Sequence, residues 1–129
     1  MTLVVDASVL AEMLVGSTVG HAAWQQWGGE EFIAPQHLPA EIAHVVRNLS
    51  LGHLITDAEA MRILSDFRAF KVELDPVEPL MVDASELRHS ESANDALYVV
   101  LARVLGACLL TCDRRLAVAA PDVAVVPTT

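Results

Sequence analysis

Four carboxylates in this chain are placed where they could do chemistry: Asp6, Glu41, Asp95 and Asp113. Asp6 closes the apolar run Leu3-Val4-Val5, and Asp113 closes Leu109-Leu110-Thr111-Cys112. Each is followed by a helix-forming stretch, so each sits where a strand gives way to a helix. In open α/β sheets that edge, at the carboxyl ends of the strands, is where ligands bind. Asp95 lies in the first turn of an apolar helix opened by Ser92, and Glu41 in the first turns of a helix opened by Pro39. Two acids at strand ends and two in opening turns of helices all point at one edge. Oxygen ligands without His or Cys select a hard cation, Mg²⁺ or Mn²⁺. Carboxylates held close repel one another strongly without such an ion. The cluster suits metal-assisted phosphodiester hydrolysis, in which an ion orients a water and stabilises the leaving oxygen.

Each acid alone has a plainer reading. Asp before a helix is a good N-cap, which covers Asp6 and Asp113. Ser92-Ala93-Asn94-Asp95 reads as a capping box with Asp in the place of Glu. At about 100° per residue, Glu41 falls about 60° from the middle of the stripe Leu38, Ile42, Val45 and Leu49. That is a boundary position, where a dipole contact or plain solvation suffices. Two observations favour a shared site. The strand-ending Asp occurs twice, and Arg103 is the only charge after Asp95 in a helix that is apolar nearly all round.

The elements that must position these acids can be read in order. A strand at the N-terminus precedes a helix from Ala7 to Val15, ended by Gly16. Ser17 or Thr18 caps a helix through Trp27, stopped by Gly28-Gly29. Phe32-Ile33-Ala34 is a brief strand, and the Pro39 helix runs to about Leu51. Thr56 with Glu59 makes a capping box for a helix to about Phe70, with Met61, Leu64 and Phe67 inward. Val72-Glu73-Leu74 is a strand, and one helix is expected over roughly Val77 to Arg88. The Ser92 helix runs through Leu105 and should be buried. Ala107 to Thr111 is a strand, Arg114 to Ala120 a helix, and Val123 to Val126 a last strand. This alternation predicts a parallel sheet with helices on both faces.

Composition sets the limits. At 129 residues the chain reads as one domain. Its apolar fraction of 53% and mean hydropathy of +0.43 are high for a soluble protein. The longest apolar stretch, Ala96 to Leu110, contains Arg103 and Gly106 and is too short to cross a bilayer. No export signal is read at the N-terminus, so a cytoplasmic location is expected. The apolar excess suits burial by a partner or a second copy. A net charge of −9 excludes nucleic-acid binding through a basic surface alone. An acidic chain acting on nucleic acid needs metal ions to bridge the repulsion. Cys108 and Cys112, four apart on a strand, are too distant for a disulfide and make a poor zinc site; buried cytosolic thiols are expected.

Val4-Val5-Asp6-Ala7-Ser8, Pro39-Ala40-Glu41, Asn94-Asp95-Ala96-Leu97-Tyr98 and Leu110-Thr111-Cys112-Asp113-Arg114-Arg115-Leu116 resemble the motifs of a PIN domain. More closely, they resemble the VapC toxins of bacterial type II toxin–antitoxin pairs. The likeness runs in order through the whole chain. It implies a PIN-like three-layer α/β/α sandwich with a mostly parallel five-stranded sheet, as a single domain over 1–129. It implies a metal-dependent endoribonuclease that cleaves RNA, tRNA or ribosomal RNA, and arrests translation. On that analogy Asp6, Glu41, Asp95 and Asp113 hold Mg²⁺ or Mn²⁺. Ser8, Asn94 and Thr111 fall where the family has polar groups near the site. The implied partner is a VapB-type antitoxin, with a toxin homodimer, or a heterotetramer or larger assembly with antitoxin. Some PIN domains carry a further acid past the last Asp; here Arg114, Arg115, Leu116 and Ala117 follow. RNA phosphate would then have to complete a second ion's shell. Arg114 and Arg115 are placed to meet phosphate, or are simply solvated. His44, one turn after Glu41, is expected at the surface, and Trp24 and Trp27 in packing.

Two other functions compete. A non-catalytic PIN-like binding module would use the acids only as caps and would need no metal. A phosphoryl-transfer protein on a similar sheet fits poorly. A dehalogenase-type phosphatase wants a second Asp where Ser8 stands, and a receiver wants a late-strand Lys, whereas the only Lys is Lys71.

Overall fold

β1 (Thr2–Val5) carries three consecutive buried residues, Leu3, Val4 and Val5. A strand does this where both faces of its sheet are covered. In the computed structural model, which describes residues 1–128, β1 is the centre of a five-stranded sheet. The others are β2 (Glu31–Pro35), β3 (Val72–Asp75), β4 (Cys108–Leu110) and β5 (Ala124–Val125), in the order β3-β2-β1-β4-β5. Every pairing is parallel. Leu3 is in register with Phe32 on one side and Cys108 on the other.

The chain moves outward from β1 to β2 and β3, then returns to β4 on the opposite flank. The order therefore reverses between β1 and β4. A crevice opens at such a point, beyond the carboxyl ends of the strands. The backbone of Asp6 still belongs to the sheet there, its N–H donating to the Leu110 carbonyl at 3.2 Å.

Among the described residues, seven α-helices surround the sheet: α1 (Ala7–Val15), α2 (Thr18–Trp27), α3 (Leu38–Leu51), α4 (Asp57–Ala69), α5 (Met81–Ser85), α6 (Ala93–Leu105) and α7 (Arg114–Ala119). α1 packs on α2, α3 and α4, while α6 lies on β1, β2 and β4 and against α5. Burial of β1 on both sides needs cover on each face, which these two groups supply. Thr56 and Glu59 form both arms of the capping box that starts α4. No helix is long and apolar enough to cross a membrane among the described residues.

Several expectations are corrected. The helix expected over 77–88 is a 3₁₀ turn, Glu78–Leu80, followed by the five-residue α5. Pro76 and Pro79 disturb its start, and only Leu80 and Ala84 are buried, so little packing sustains a longer helix. Met61 does not face inward but is 67% exposed; Ala60 and Ile63 are buried, with Leu64 and Phe67 half-buried beside them. Leu64 and Phe67 pack against the core as expected, and only Met61 turns out to solvent. The cysteines are not a buried pair: Cys108 is exposed at the start of β4 and Cys112 half-buried beyond its end. α6 is buried from Ala96 to Ala102 apart from half-buried Leu97, but Val104 and Leu105 emerge past the sheet. Trp24 stands about half exposed over Phe70, ring centroids 6.0 Å apart.

Candidate active site

Asp6 is a buried acid, only 6% exposed. Its Oδ1 accepts the Ser8 hydroxyl at 2.6 Å and the Val9 N–H at 3.2 Å. The Ser8 hydroxyl oxygen in turn accepts the Cys112 N–H at 2.9 Å and lies 3.5 Å from Thr111 Oγ1. The fully buried Thr111 hydroxyl accepts the Asp113 N–H at 3.0 Å. One serine thus ties the end of β1 to the end of β4. Burial pushes the Asp6 carboxyl up to about 6 against these bonds, with the Asp95 charge adding to it. Replacing Ser8 by Ala strands the Cys112 amide and loosens Asp6. The expected loss is about 1–3 kcal/mol in urea unfolding, the usual cost of an unmet buried partner.

Asp113 caps α7, its Oδ1 accepting the N–H of Arg115 at 2.9 Å and of Leu116 at 3.3 Å. Asp6 caps α1 in the same way. In both, the cap engages Oδ1 and leaves Oδ2 out of it. Capping and ion binding therefore do not compete for one oxygen.

Glu41 rises from the first turn of α3. Its Oε1 accepts the Tyr98 hydroxyl at 2.6 Å and stands 3.2 Å from His37 Nε2. That second approach has ion-pair distance but not hydrogen-bond alignment. Burial pushes the Glu41 carboxyl up, but the His37 ring and the Tyr98 hydroxyl together outweigh it and hold it below the usual range. Asp95 sits half-buried in the first turn of α6, where its N–H donates to Ser92 Oγ at 3.2 Å. Burial first, then the charges of Asp113 and Glu41, raise its carboxyl above the ordinary value.

The four acids therefore come from the ends of two strands and the starts of two helices, and they feel one another's charge. Asp95 is the common neighbour of Asp6, Glu41 and Asp113. Among the described residues no three His, Cys, Asp or Glu side chains converge as a ready metal cage. The donor set is nonetheless all oxygen and strongly anionic, which fits a hard divalent ion. Ser8 and Thr111 lie within the site as just described. Asn94 is exposed on the opening turn of α6. Arg114 and Arg115 are exposed at the start of α7, and the Arg115 charge offsets those of Asp95 and Glu91. His44 is exposed, as expected.

Three neighbours escape a reading of the sequence. Glu91, just before the α6 cap, is raised by burial and by Asp95 and Asp113, so a fifth acid borders the cluster. His37 and Tyr98 reach Glu41 from one turn before it and from another helix. For Glu91 the only available signal is an acid adjoining the capping serine.

A model described as PIN domain matches residues 3–121. The chain belongs to the PIN domain family. Its relatives carry it further, to the VapC ribonucleases, nucleases of the hydrolase class. Ribonuclease VapC12 of Mycobacterium tuberculosis is 34% identical over 115 residues, covering 89% of each chain. Ribonuclease VapC1 of the same species is 33% identical over 118 residues, 90% of this chain and 89% of the relative. Among solved structures, the PIN fold aligns with VapC20 of M. tuberculosis, a sarcin–ricin loop cleaving toxin, at a TM-score of 0.67 and 19% identity, covering 91% of this chain and 94% of that one. It aligns with VapBC2 from Rickettsia felis, solved bound to a promoter DNA fragment, at 0.68 and 12%, covering 98% of both. The resemblance read from the four motifs and the α/β fold it implied are both borne out.

Proposed function

We propose that the chain is the toxin of a type II toxin–antitoxin pair, a Mg²⁺- or Mn²⁺-dependent endoribonuclease. The observation that supports this reading is that Asp95, at the start of α6, feels the charges of Asp113 and Glu41 and adds its own to the buried Asp6, with Arg115 offsetting only part of that charge. Asp6, Glu41, Asp95 and Asp113 would hold the ion. When bound, a divalent ion supplies an acidified water and a positive centre for the phosphate oxygens. Asp6 is held for this by Ser8 and its own cap, and Asp113 by its cap on α7. Glu41 and Asp95 complete the ring from the helix side. Arg114 and Arg115 meet the RNA backbone at the rim, where they soften an otherwise repulsive field. Replacing both by Ala should raise KM and lower the salt dependence of RNA binding by about one contact each, with kcat little changed. A filter-binding salt titration reads this.

The substrate class is structured RNA, tRNA or ribosomal RNA, and cutting it would arrest translation. A VapB-type antitoxin restrains the toxin, and exposed apolar side chains such as Trp24, Met81 and Val82 suit cover by that partner or by a second copy. Incubating total RNA with the purified chain tests the reading. Cuts that need Mg²⁺ or Mn²⁺, stop with EDTA and vanish in Asp6→Asn and Asp95→Asn support it. Indifference to EDTA and to both variants leaves the acids as caps and favours a binding module.

A further inference from the structure

Tyr98 is the largest fully buried side chain in the molecule's core, and its one polar atom is spent on Glu41. The contact spans 57 residues of chain and joins α6 to α3. His37 closes the other side. Its ring packs against the Tyr98 ring at a 56° tilt, centroids 5.0 Å apart, and its Nε2 faces the same Glu41 oxygen at 3.2 Å. The His37 nitrogens are shut off from solvent, and neither has an aligned hydrogen-bond partner among the described residues. Buried polar atoms left in that state cost stability and call for a reason. Both residues are tied to site acids: Tyr98 stands one turn after Asp95 on α6, and His37, at the N-cap of α3, one turn before Glu41. All polar contacts to Glu41 fall on Oε1, which leaves Oε2 as the oxygen for a ligand.

We propose that Tyr98 and His37 are positioning residues that seat Glu41 by its Oε1 and so fix the helix-borne half of the ion site at a set separation from Asp95. The inference rests on the reading of Glu41 as a ligand. Without the hydroxyl, Glu41 on its half-exposed helix turn samples several rotamers, and its entropy opposes binding.

Mn²⁺ binding by calorimetry on wild type, Tyr98→Phe, Glu41→Gln and the double variant tests this. Phe fills the same space, and circular dichroism melting checks that the fold is kept. Tyr98→Phe should weaken Mn²⁺ binding by about 10- to 100-fold, as partners of metal ligands do. In the Glu41→Gln background the same change should have no further effect, because the seat then has nothing to place. A His37→Phe variant should reproduce a smaller part of the loss. If Glu41→Gln weakens binding but Tyr98→Phe does not, the seat is only packing and the inference fails. Equal losses for Tyr98→Phe in both backgrounds, which signal a general structural role, overturn it too. If Glu41→Gln itself leaves Mn²⁺ binding intact, the ligand reading fails first, and the seat with it.

Discussion

Asp6→Asn should abolish RNA cleavage and, in the absence of divalent ions, make the protein more stable. Both effects follow from the burial of one carboxylate. The folded chain holds the Asp6 proton more tightly than the unfolded chain does, because burial lifts the carboxyl from 3.8 to about 6. Stability from this group is therefore full below the unfolded value and falls as pH rises through the folded one. By neutral pH the ionised buried Asp6 has cost about 3 kcal/mol. Asn removes that cost, keeps the N-cap, and still offers Ser8 an oxygen. It also removes one anionic oxygen from the site. Partners of metal ligands already cost about 10- to 100-fold when lost, so loss of a ligand should exceed about 100-fold in kcat/KM. Urea midpoints at pH 5 and pH 7 in EDTA read the stability arm. Wild type should weaken across that interval and the variant should not. A variant less stable than wild type at pH 7 in EDTA contradicts the account.

The second large effect is structural and lies on the far side of α1. Gly16 ends α1 in the left-handed region, at φ 81°, and Ser17 caps α2, accepting the Gly20 N–H at 3.1 Å. The Ser17 hydroxyl also bonds the Glu12 carboxylate, closing the corner. This tight return drives α2 across α1 at Gly20. A Cβ there would stand 1.9 Å from the Glu12 carbonyl oxygen and 2.7 Å from the Met13 nitrogen. Those atoms are helix backbone and cannot turn aside as a side chain can. Overpacking that side chains can absorb costs about 1–3 kcal/mol. Gly20→Ala should therefore cost more than about 3 kcal/mol, overriding the gain of about 1 kcal/mol that Ala brings to a helix. Because α1 begins at Asp6, activity should fall with it. Gly16→Ala has open space and only backbone strain, so it should cost about 1–2 kcal/mol. Urea unfolding of the pair separates the two. A Gly20→Ala protein as stable as wild type would mean that the helices do not approach as described.

Much of this architecture is legible in the sequence because local and long-range signals agree. Val4-Val5-Asp6 and Leu110-Thr111-Cys112-Asp113 spell strand, acid and helix start, and a parallel sheet then brings both acids to one edge. Pro39, Ser92 and the Thr56–Glu59 box mark helix starts closely. The reading weakens where a tertiary partner decides. Met61 and Ile63 are equally apolar, and only the packing of α4 on α3 and α1 chooses the inward one. Cys108 lies at a strand's first residue, where burial lapses. The segment after Pro76 is apolar enough to suggest a helix, yet its prolines and the shortage of buried positions break it. The Tyr98 hydroxyl, within the very motif that marks Asp95, reads as core because its acceptor is 57 residues away. Glu91 is hidden for the same reason: its neighbours Asp95 and Asp113 meet it only in the fold.

The central claim is that the four acids hold one divalent ion together. Mn²⁺ binding, read by electron paramagnetic resonance on wild type and on Asp6→Asn, Glu41→Gln, Asp95→Asn and Asp113→Asn, tests it most directly. The account predicts tight binding by the wild-type protein and a marked loss in each of the four variants, parallel to loss of RNA cleavage. Binding that is absent in wild type, or unchanged by all four substitutions, while RNA is still cut in EDTA, contradicts it.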